Sequence, residues 1–515
     1  MATFILRRLV AGFFVILAAS FLVYILTANA GDPLERTLAI NDPVARQQAV
    51  ESITRNLRLD LDPVSRYFLW LKGVGGCFVG NCDFGISTVT LQPVAADLPG
   101  RIAITIKLVL AAQILAVLIG VAIGIVTALR QYSGFDYTAT FFTFLFFSLP
   151  VFWVAVLLKE FVAIRFNDFL ADGPTLPLWV IIGGAVVVGA IGYSLAGGSP
   201  PRRLLVGAVA AVVVGGVLAY ISATQWLLNP SLGIIVIAVL SVGIAFGVTV
   251  LTAGLRNRKA LYSALTVVAI GLAAYFPLQY FFYEGMNVWK LLGLAVLAIV
   301  VGIGVGYAWG GDDRGLSARA AALTAVGVSL VVFLDRTMRA WQVYSDNPAI
   351  RGRPIKTIGD AQTGLEGDFW IRTIDVFTHL LLPTLALMLI SLASYTRYSR
   401  ASLLEVFNQD YIRTARAKGL TERTVVMRHA FRNALIPLAT IVAFDIGGLL
   451  GGAVITERIF QWDAMGTLFN NGLTNRDPNP VMAFFVVVAV IAVVFNILAD
   501  IAYATLDPRI RVGQS

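Results

Sequence analysis

Charge, histidine and cysteine are all scarce in this chain. Only 13% of its 515 residues are Asp, Glu, Lys or Arg, while 58% are hydrophobic, and the mean hydropathy is +0.81. That balance excludes a soluble enzyme, because apolar runs of about twenty residues recur and each is long enough to cross a bilayer. His379 and His429 are the only histidines, Cys77 and Cys82 the only cysteines, and the two pairs lie far apart in sequence. No zinc-type ligand set or cysteine–histidine dyad is therefore expected, and no residue is assigned a metal or a catalytic role. No glycine precedes a lysine anywhere, which rules out the Gly-Lys-Ser/Thr cradle for nucleotide phosphates. Neither ATP nor Mg has a site here, so work drawn from ATP must come through a separate subunit. A lipid or sugar transferase would need carboxylates or histidines clustered at a membrane face, and the sequence offers no such cluster.

Lys and Arg outnumber Asp and Glu by 39 to 30, for a net charge of +9. The excess sits in a few loops between apolar runs, a pattern that sets membrane orientation rather than nucleic-acid binding. Residues 1–30 are read as the first membrane helix. Arg7 and Arg8 precede an apolar run to Thr27 that is longer than a secretory core, so Ala28-Asn29-Ala30 is expected to stay uncleaved and the N-terminus to lie inside. Residues 31–101 are polar and outside, with amphipathic segments near 44–57 and 63–72. There Tyr67 and Trp70 are either interface anchors or contacts for a partner, and the four residues between Cys77 and Cys82 permit a small disulfide-closed loop in an oxidising compartment. Spans near 102–129 and 137–164 follow within a segment 102–175, with Lys159 and Glu160 snorkelling at the outer end.

Between 176 and 334 lie six further spans, near 176–195, 204–222, 231–255, 260–278, 288–309 and 320–334. Their basic loops, with Arg202 and Arg203, then Arg256, Arg258 and Lys259, then Arg314 and Arg319, alternate with outer loops poor in basic charge. An even number of crossings returns the chain to the outside. Rich in Val, Ala, Leu and Gly with hardly any charge, these spans predict a lipid-facing accessory bundle rather than a passage. An outer segment 335–375 follows, and residues 376–515 hold three more spans, near 376–393, 436–454 and 481–503, for a total of about twelve.

The rest of the chain is organised around its longest strongly charged run, 405–437, within an inner loop 400–435. Good helix formers with Leu404, Phe407, Tyr411 and Ala415 at helical spacing predict one helix over 401–418, which Gly419 ends in the left-handed conformation before Thr421 caps the next. The stretch Asp410-Tyr411-Ile412-Arg413-Thr414-Ala415-Arg416-Ala417-Lys418-Gly419-Leu420, followed by Arg428-His429-Ala430-Phe431-Arg432-Asn433-Ala434-Leu435-Ile436-Pro437, resembles the cytoplasmic EAA loop of permease subunits from binding-protein-dependent ABC importers. Within that family it is most similar to the dipeptide/oligopeptide/nickel branch. Asp83-Phe84-Gly85, Ser148-Leu149-Pro150-Val151-Phe152-Trp153, Gly367-Asp368-Phe369-Trp370, His379-Leu380-Leu381-Leu382-Pro383 and Leu506-Asp507-Pro508-Arg509-Ile510-Arg511 extend the resemblance over about 4–175 and 368–511.

The resemblance implies an all-α polytopic membrane protein with a six-span, type I permease core, here interrupted by the six-span insertion. It implies that Asp410, Tyr411, Ile412, Thr414, Ala415, Ala417, Lys418 and Gly419 form a coupling helix seated in a groove of an ATPase subunit. Its other implied partners are a sibling permease, a second ATPase subunit and an extracytoplasmic solute-binding protein, with no nucleic acid. ATP and Mg would be bound by the ATPase subunits. The implied location is the cell inner (cytoplasmic) membrane with both termini cytoplasmic, and the implied cargo is peptide, with nickel or another small solute as the alternative. Asp445 stands within 436–454, where family members commonly carry an uncharged polar residue, beside Gly447, Gly448, Gly451 and Gly452. These either pack helices or line a passage. A secondary transporter is the rival class. It would carry ion-coupling charges at mid-membrane, often in repeated halves, and Asp445 is the single clear candidate.

Overall fold

A computed structural model describes residues 2–283 and 285–506, with side-chain surroundings for all of these except 2–5, 312, 423, 427–428, 436, 440, 443–444, 446–452, 499–500 and 502–506. The C-terminal motif from Asp507 onward lies outside the described residues, as do the surroundings of Gly447, Gly448, Gly451 and Gly452. In chain order the helices are α1 (Ala2–Asn29), α2 (Pro43–Leu57), α3 (Pro63–Gly75), α4 (Val94–Leu129), α5 (Gly134–Ser148), α6 (Val151–Ala171), α7 (Leu178–Leu195), α8 (Pro200–Ala223), α9 (Gly233–Thr252), α10 (Arg258–Tyr283), α11 (Val288–Trp309), α12 (Arg314–Arg339), α13 (Phe369–Phe407), α14 (Asp410–Ala417), α15 (Phe431–Ile459), α16 (Met465–Thr474) and α17 (Pro478–Leu506). Among the described residues there is no strand, only an isolated bridge between Ile86 and Pro93.

Ten of these helices are long and apolar enough to span a bilayer, and α5 with α6 make an eleventh candidate that is bent by 104°. By length α15 is one more, which brings the chain to the expected total of about twelve. The bend corrects the single span expected over 137–164. Pro150 has no N–H to give and holds Leu149 extended at φ −84° and ψ 126°, so the helix stops and restarts. Elsewhere the helix starts follow their local chemistry. In α2 and α3 an Asp-Pro pair supplies a carboxylate cap, Asp42 or Asp62, and a proline preset for the first turn.

The chain divides into two compact units, one of Met1–Val162, Thr357–Asp360 and Leu380–Ser515, the other of Ala163–Lys356 and Ala361–His379. In the first, α17 packs on α1, α15 and α16. Its outer core gathers Tyr24, Tyr67, Trp70, Phe84, Met465 and Met482. Tyr67 and Trp70 are therefore neither interface anchors nor partner contacts. Helix α3 lies against α1, with the Tyr67 hydroxyl 2.9 Å from Ser20 Oγ and donating to Leu17 O at 3.1 Å, so both rings are enclosed.

In the second unit, α9 to α12 form a bundle whose core includes Ile237, Ala245, Val268, Tyr275 and Val328, together with Tyr344, Trp370, Ile371 and Ile374 from the segments that follow. A fully buried carboxylate, Asp335, ties it together. It accepts from Leu232 N at 2.8 Å, Gly233 N at 3.2 Å, Tyr275 Oη at 2.7 Å and Arg339 Nε at 2.9 Å. Helices α7 and α8 pair with each other around Gly189 and Gly207 and are otherwise mostly exposed.

Candidate functional site

The charged run does not form the single helix expected over 401–418. Helix α13 ends at Phe407, and Gln409 turns extended at φ −72° and ψ 146° before α14 begins at Asp410. Asn408 explains the stop, since its side-chain amide donates back to Leu404 O at 3.1 Å and its backbone N–H to Glu405 O, bonds that compete with helix continuation. The break resets the phase of the buried stripe. Ile412 and Ala415 now point inward, onto Ala128, Leu403, Val425, Ala430 and Ala434, whereas Tyr411 is 41% exposed. Asp410, Arg413, Thr414, Arg416, Ala417 and Lys418 complete the outward surface.

Gly419 closes this helix with a left-handed residue, φ +72°, and two backbone bonds: its own N–H reaches Arg416 O at 2.9 Å, and Leu420 N–H reaches Ala415 O at 3.4 Å. That pair is a Schellman ending, in which a residue without Cβ carries the positive φ. Across the turn Arg416 grips Glu422 with two bonds, Nη2 to Oε1 at 2.7 Å and Nε to Oε2 at 3.2 Å, and its guanidinium holds the Glu422 carboxyl below its ordinary range. Thr421 then caps the next turn through Thr424 N, and a π-helical stretch Val425–Ala430 leads into α15. Asn433 Nδ2 donates to Tyr411 Oη at 2.8 Å, fastening α14 to the start of α15.

Deeper in the same unit, α4, α13 and α15 share a polar chain. Gln113 donates to the hydroxyl of the fully buried Tyr395, which is in turn hydrogen bonded to the half-buried Asp445. Asp445 thus has a protein partner rather than a lipid-facing carboxylate. Gly120 and Gly124 let α4 and α13 approach: a Cβ on Gly120 would stand 3.1 Å from Leu392 O, and one on Gly124 would fall on Ser399 Oγ. This Gly-xxx-Gly pair and Gln113 escaped the reading of the sequence. The glycine spacing in an apolar run was the available signal.

The outer loop is sewn to the last third of the chain. Asp477 Oδ2 accepts from Ser87 Oγ at 2.8 Å and from Thr88 N at 2.7 Å, while Asn479 Nδ2 donates to Ile86 O at 2.9 Å. Burial pushes the Asp477 carboxyl above its ordinary range, and the bonds from Ser87 and Thr88 pull it part of the way back. Glu457, also buried, accepts from Thr105 Oγ1 and from Gly466 N, each at 2.6 Å, and so joins α15 to α4 and to the start of α16. Cys77 and Cys82 are joined by a disulfide. The Lys159 ammonium donates to Ile459 O at 3.1 Å at the C-terminal end of α15, where a cation is favoured.

Among the described residues no group of three or more His, Cys, Asp or Glu is placed to hold a metal ion. The arrangement offers a short helix presented on a fixed turn and a polar seam between membrane helices.

The family model described as a binding-protein-dependent transport system inner membrane component matches residues 211–512. The oligopeptide transport system permease protein OppB of Mycobacterium tuberculosis (strain ATCC 25618 / H37Rv) is 36% identical over 235 residues, which is 44% of this chain and 71% of the relative. The oligopeptide transport system permease protein AppB of Bacillus subtilis (strain 168) is 47% identical over 137 residues, 27% of this chain and 43% of the relative. The dipeptide transport system permease protein DppB of Escherichia coli (strain K12) is 42% identical over 184 residues, 36% of this chain and 50% of the relative.

Proposed function

Because this chain belongs to the family of inner membrane components of binding-protein-dependent transport systems, we propose that it is the permease subunit of an ATP-driven importer whose cargo is peptide. The observation that carries the reading is α14, a two-turn helix seated by Ile412 and Ala415 that offers Asp410, Tyr411, Thr414, Ala417 and Lys418 to solvent. A chain without a phosphate cradle needs such a surface to receive work done elsewhere. In this reading α14 sits in a groove of an ATPase subunit, and the loop 400–435 and both termini face the cytoplasm. Two ATPase subunits bind ATP and Mg, a sibling permease completes the passage, and an extracytoplasmic binding protein delivers the peptide to the outer loop.

The chain's own residues then have distinct tasks. The Gly419 turn fixes the angle at which α14 leaves α13. The buried cluster of Ile412, Ala415, Val425 and Ala434 passes a displacement of α14 directly to α4, α13 and α15, since packed interiors transmit strain rather than absorb it. The Gln113–Tyr395–Asp445 chain links those same three helices inside the membrane. The spans of 176–334 serve as an accessory bundle.

Reconstitution tests the proposal. Proteoliposomes carrying this chain with its sibling permease, the ATPase subunits and the binding protein should accumulate labelled peptide only when ATP is supplied on the ATPase side. Omitting the ATPase should abolish uptake. Peptide accumulation by this chain alone, driven by a proton or sodium gradient, would overturn the reading in favour of a secondary transporter.

A further inference from the structure

The bundle of α9 to α12 has two unlike ends. At the end near Tyr283 and Arg339 the cations are engaged: Arg339 pairs with Asp335 at 2.9 Å, Lys290 Nζ donates to Gly285 O at 2.9 Å, and the Arg336 guanidinium lies over the Trp370 ring. At the end near Thr252 and Trp309, Arg256, Arg258, Lys259, Arg314 and Arg319 are all exposed, and among the described residues none of them makes an ion pair. Asp312 and Asp313 also fall in this stretch, so the positive excess is three charges. The Asp313 carboxylate is committed to capping α12 through Leu316 N at 3.1 Å.

This end is built as well as charged. Lys259 is held against the α11–α12 turn, its ammonium occupying the place where a side chain on Gly311 would begin. Helices α10 and α12 both start here, capped by Asn257 and Asp313, and add the partial positive charge of two helix N-termini. Beside the cations, Tyr262 and Trp309 stand with ring centroids 5.6 Å apart and are 43% and 44% exposed, while the Trp309 indole N–H donates to Thr266 Oγ1 at 3.0 Å. Such rings sit where headgroups give way to hydrocarbon. Below Tyr262, on the same face of α10, the exposed residues are apolar: Ala269, Ile270, Ala273 and Phe276. Basic loops alone follow from membrane orientation. Unpaired cations at one end of one bundle, beside an amphipathic aromatic pair and above an apolar face, fit an anionic headgroup with acyl chains attached.

We propose that this end of the α9–α12 bundle binds an anionic phospholipid, its phosphodiester among Arg256, Arg258, Lys259 and Arg314 and its acyl chains running past Tyr262 and Trp309. The occupant is a lipid rather than free phosphate, because the aromatic pair and the apolar face would serve no purpose for a free anion.

Native mass spectrometry of the full chain, released from detergent after incubation with phosphatidylglycerol or phosphatidylcholine, measures the retention of each lipid. Retention of phosphatidylglycerol should exceed that of phosphatidylcholine. Each charge neutralised should weaken it about 5-fold, so that Arg256→Gln, Arg258→Gln and Arg314→Gln together weaken it on the order of 100-fold. The corresponding lysine replacements should stay within a few-fold of the unaltered chain. If the triple glutamine variant is not monodisperse, Arg314→Gln alone should still show about a 5-fold loss. Equal retention of the two lipids, or unchanged phosphatidylglycerol retention in a monodisperse glutamine variant, would overturn the proposal. Competition by inorganic phosphate at the lipid's own concentration would assign the site to a free anion and also overturn it. The measurement needs neither ATP nor solute, so it stands or falls independently of the importer reading.

Discussion

Gly419→Val isolates the turn that aims α14. The residue sits at φ +72°, and apart from its chain neighbours no heavy atom lies within 4 Å of the position its Cβ would take, so the rest of the protein does not oppose a Cβ there. The penalty is conformational. An L-residue in the left-handed region costs roughly 1–2 kcal/mol, and a β-branched residue is a genuine outlier there. What holds the turn closed is of the same order. Its two backbone bonds contribute about 0.5–1.5 kcal/mol each, and the exposed Arg416–Glu422 pair at most about 1 kcal/mol. Valine should therefore offset much of what keeps the turn closed, which loosens α14 from its fixed angle while leaving the membrane helices untouched. In proteoliposomes with the full set of partners, ATP-driven peptide uptake should fall at least about tenfold, a loss equivalent to about 1.4 kcal/mol of coupling. Membrane yield should not change. Gly419→Asn is the control, since asparagine adopts the left-handed conformation at little cost, and it should keep most of the uptake. Equal uptake by the valine and asparagine variants at equal yield would refute the reasoning, because it would show that the turn's conformation does not govern coupling.

Asp477 gives a pH test: burial raises its folded pKa, so its contribution to stability is greatest below the unfolded value and is lost as pH rises through the folded one. Thermal melts between about pH 4 and pH 8 should show the unaltered chain losing ground to Asp477→Asn as pH increases, and parallel profiles would count against it. Tyr395→Phe removes both the donor to Asp445 and the acceptor for Gln113 and should cost about 1 kcal/mol, read as a lowered Tm in detergent. Asp445→Asn keeps an acceptor for Tyr395, so it should lower Tm less and reduce uptake of cationic and neutral peptides alike; a loss confined to cationic peptides would show instead that Asp445 lines the passage. Excising 176–223, the paired α7 and α8, should spare uptake and yield, whereas excising 176–334 should lower membrane yield several-fold, and equal yields for the two deletions would contradict the packing described around Trp370.

What could be read from the sequence was local. Apolar runs mark the spans because bilayer thickness sets their length, and the Asp-Pro starts of α2 and α3 and the glycine end of α14 are readable because caps act within a few residues. The interruption at Asn408 has a visible cause, but helix-forming residues on both sides outweigh it in the sequence, whose apolar spacing runs on from Leu404 and Phe407 instead of starting afresh at Asp410. Contacts between distant positions had no such signal. Ser87 and Asp477 are 390 positions apart, and nothing near Tyr67 announces that α1 will cover it. Amphipathic segments outside a membrane look alike whether they rest on lipid or on another helix.

Trp370 shows the same limit just beyond the segment 176–334. The motif Gly367-Asp368-Phe369-Trp370 reads as the point where the family pattern resumes, and Asp368 does start α13 by accepting from Trp370 N and Ile371 N, both at 3.0 Å. Yet the indole ring is fully buried against Phe282 and Phe333, donates to Phe282 O at 2.9 Å, and lies beneath Arg336. Phe282 and Phe333 belong to α10 and α12, inside the segment 176–334 that the sequence reads as an insertion. The first turns of α13 are therefore built on residues of that segment, and a boundary drawn where the motif resumes would cut through one hydrophobic core. The separable piece is the α7–α8 pair, which shares no residue with that core.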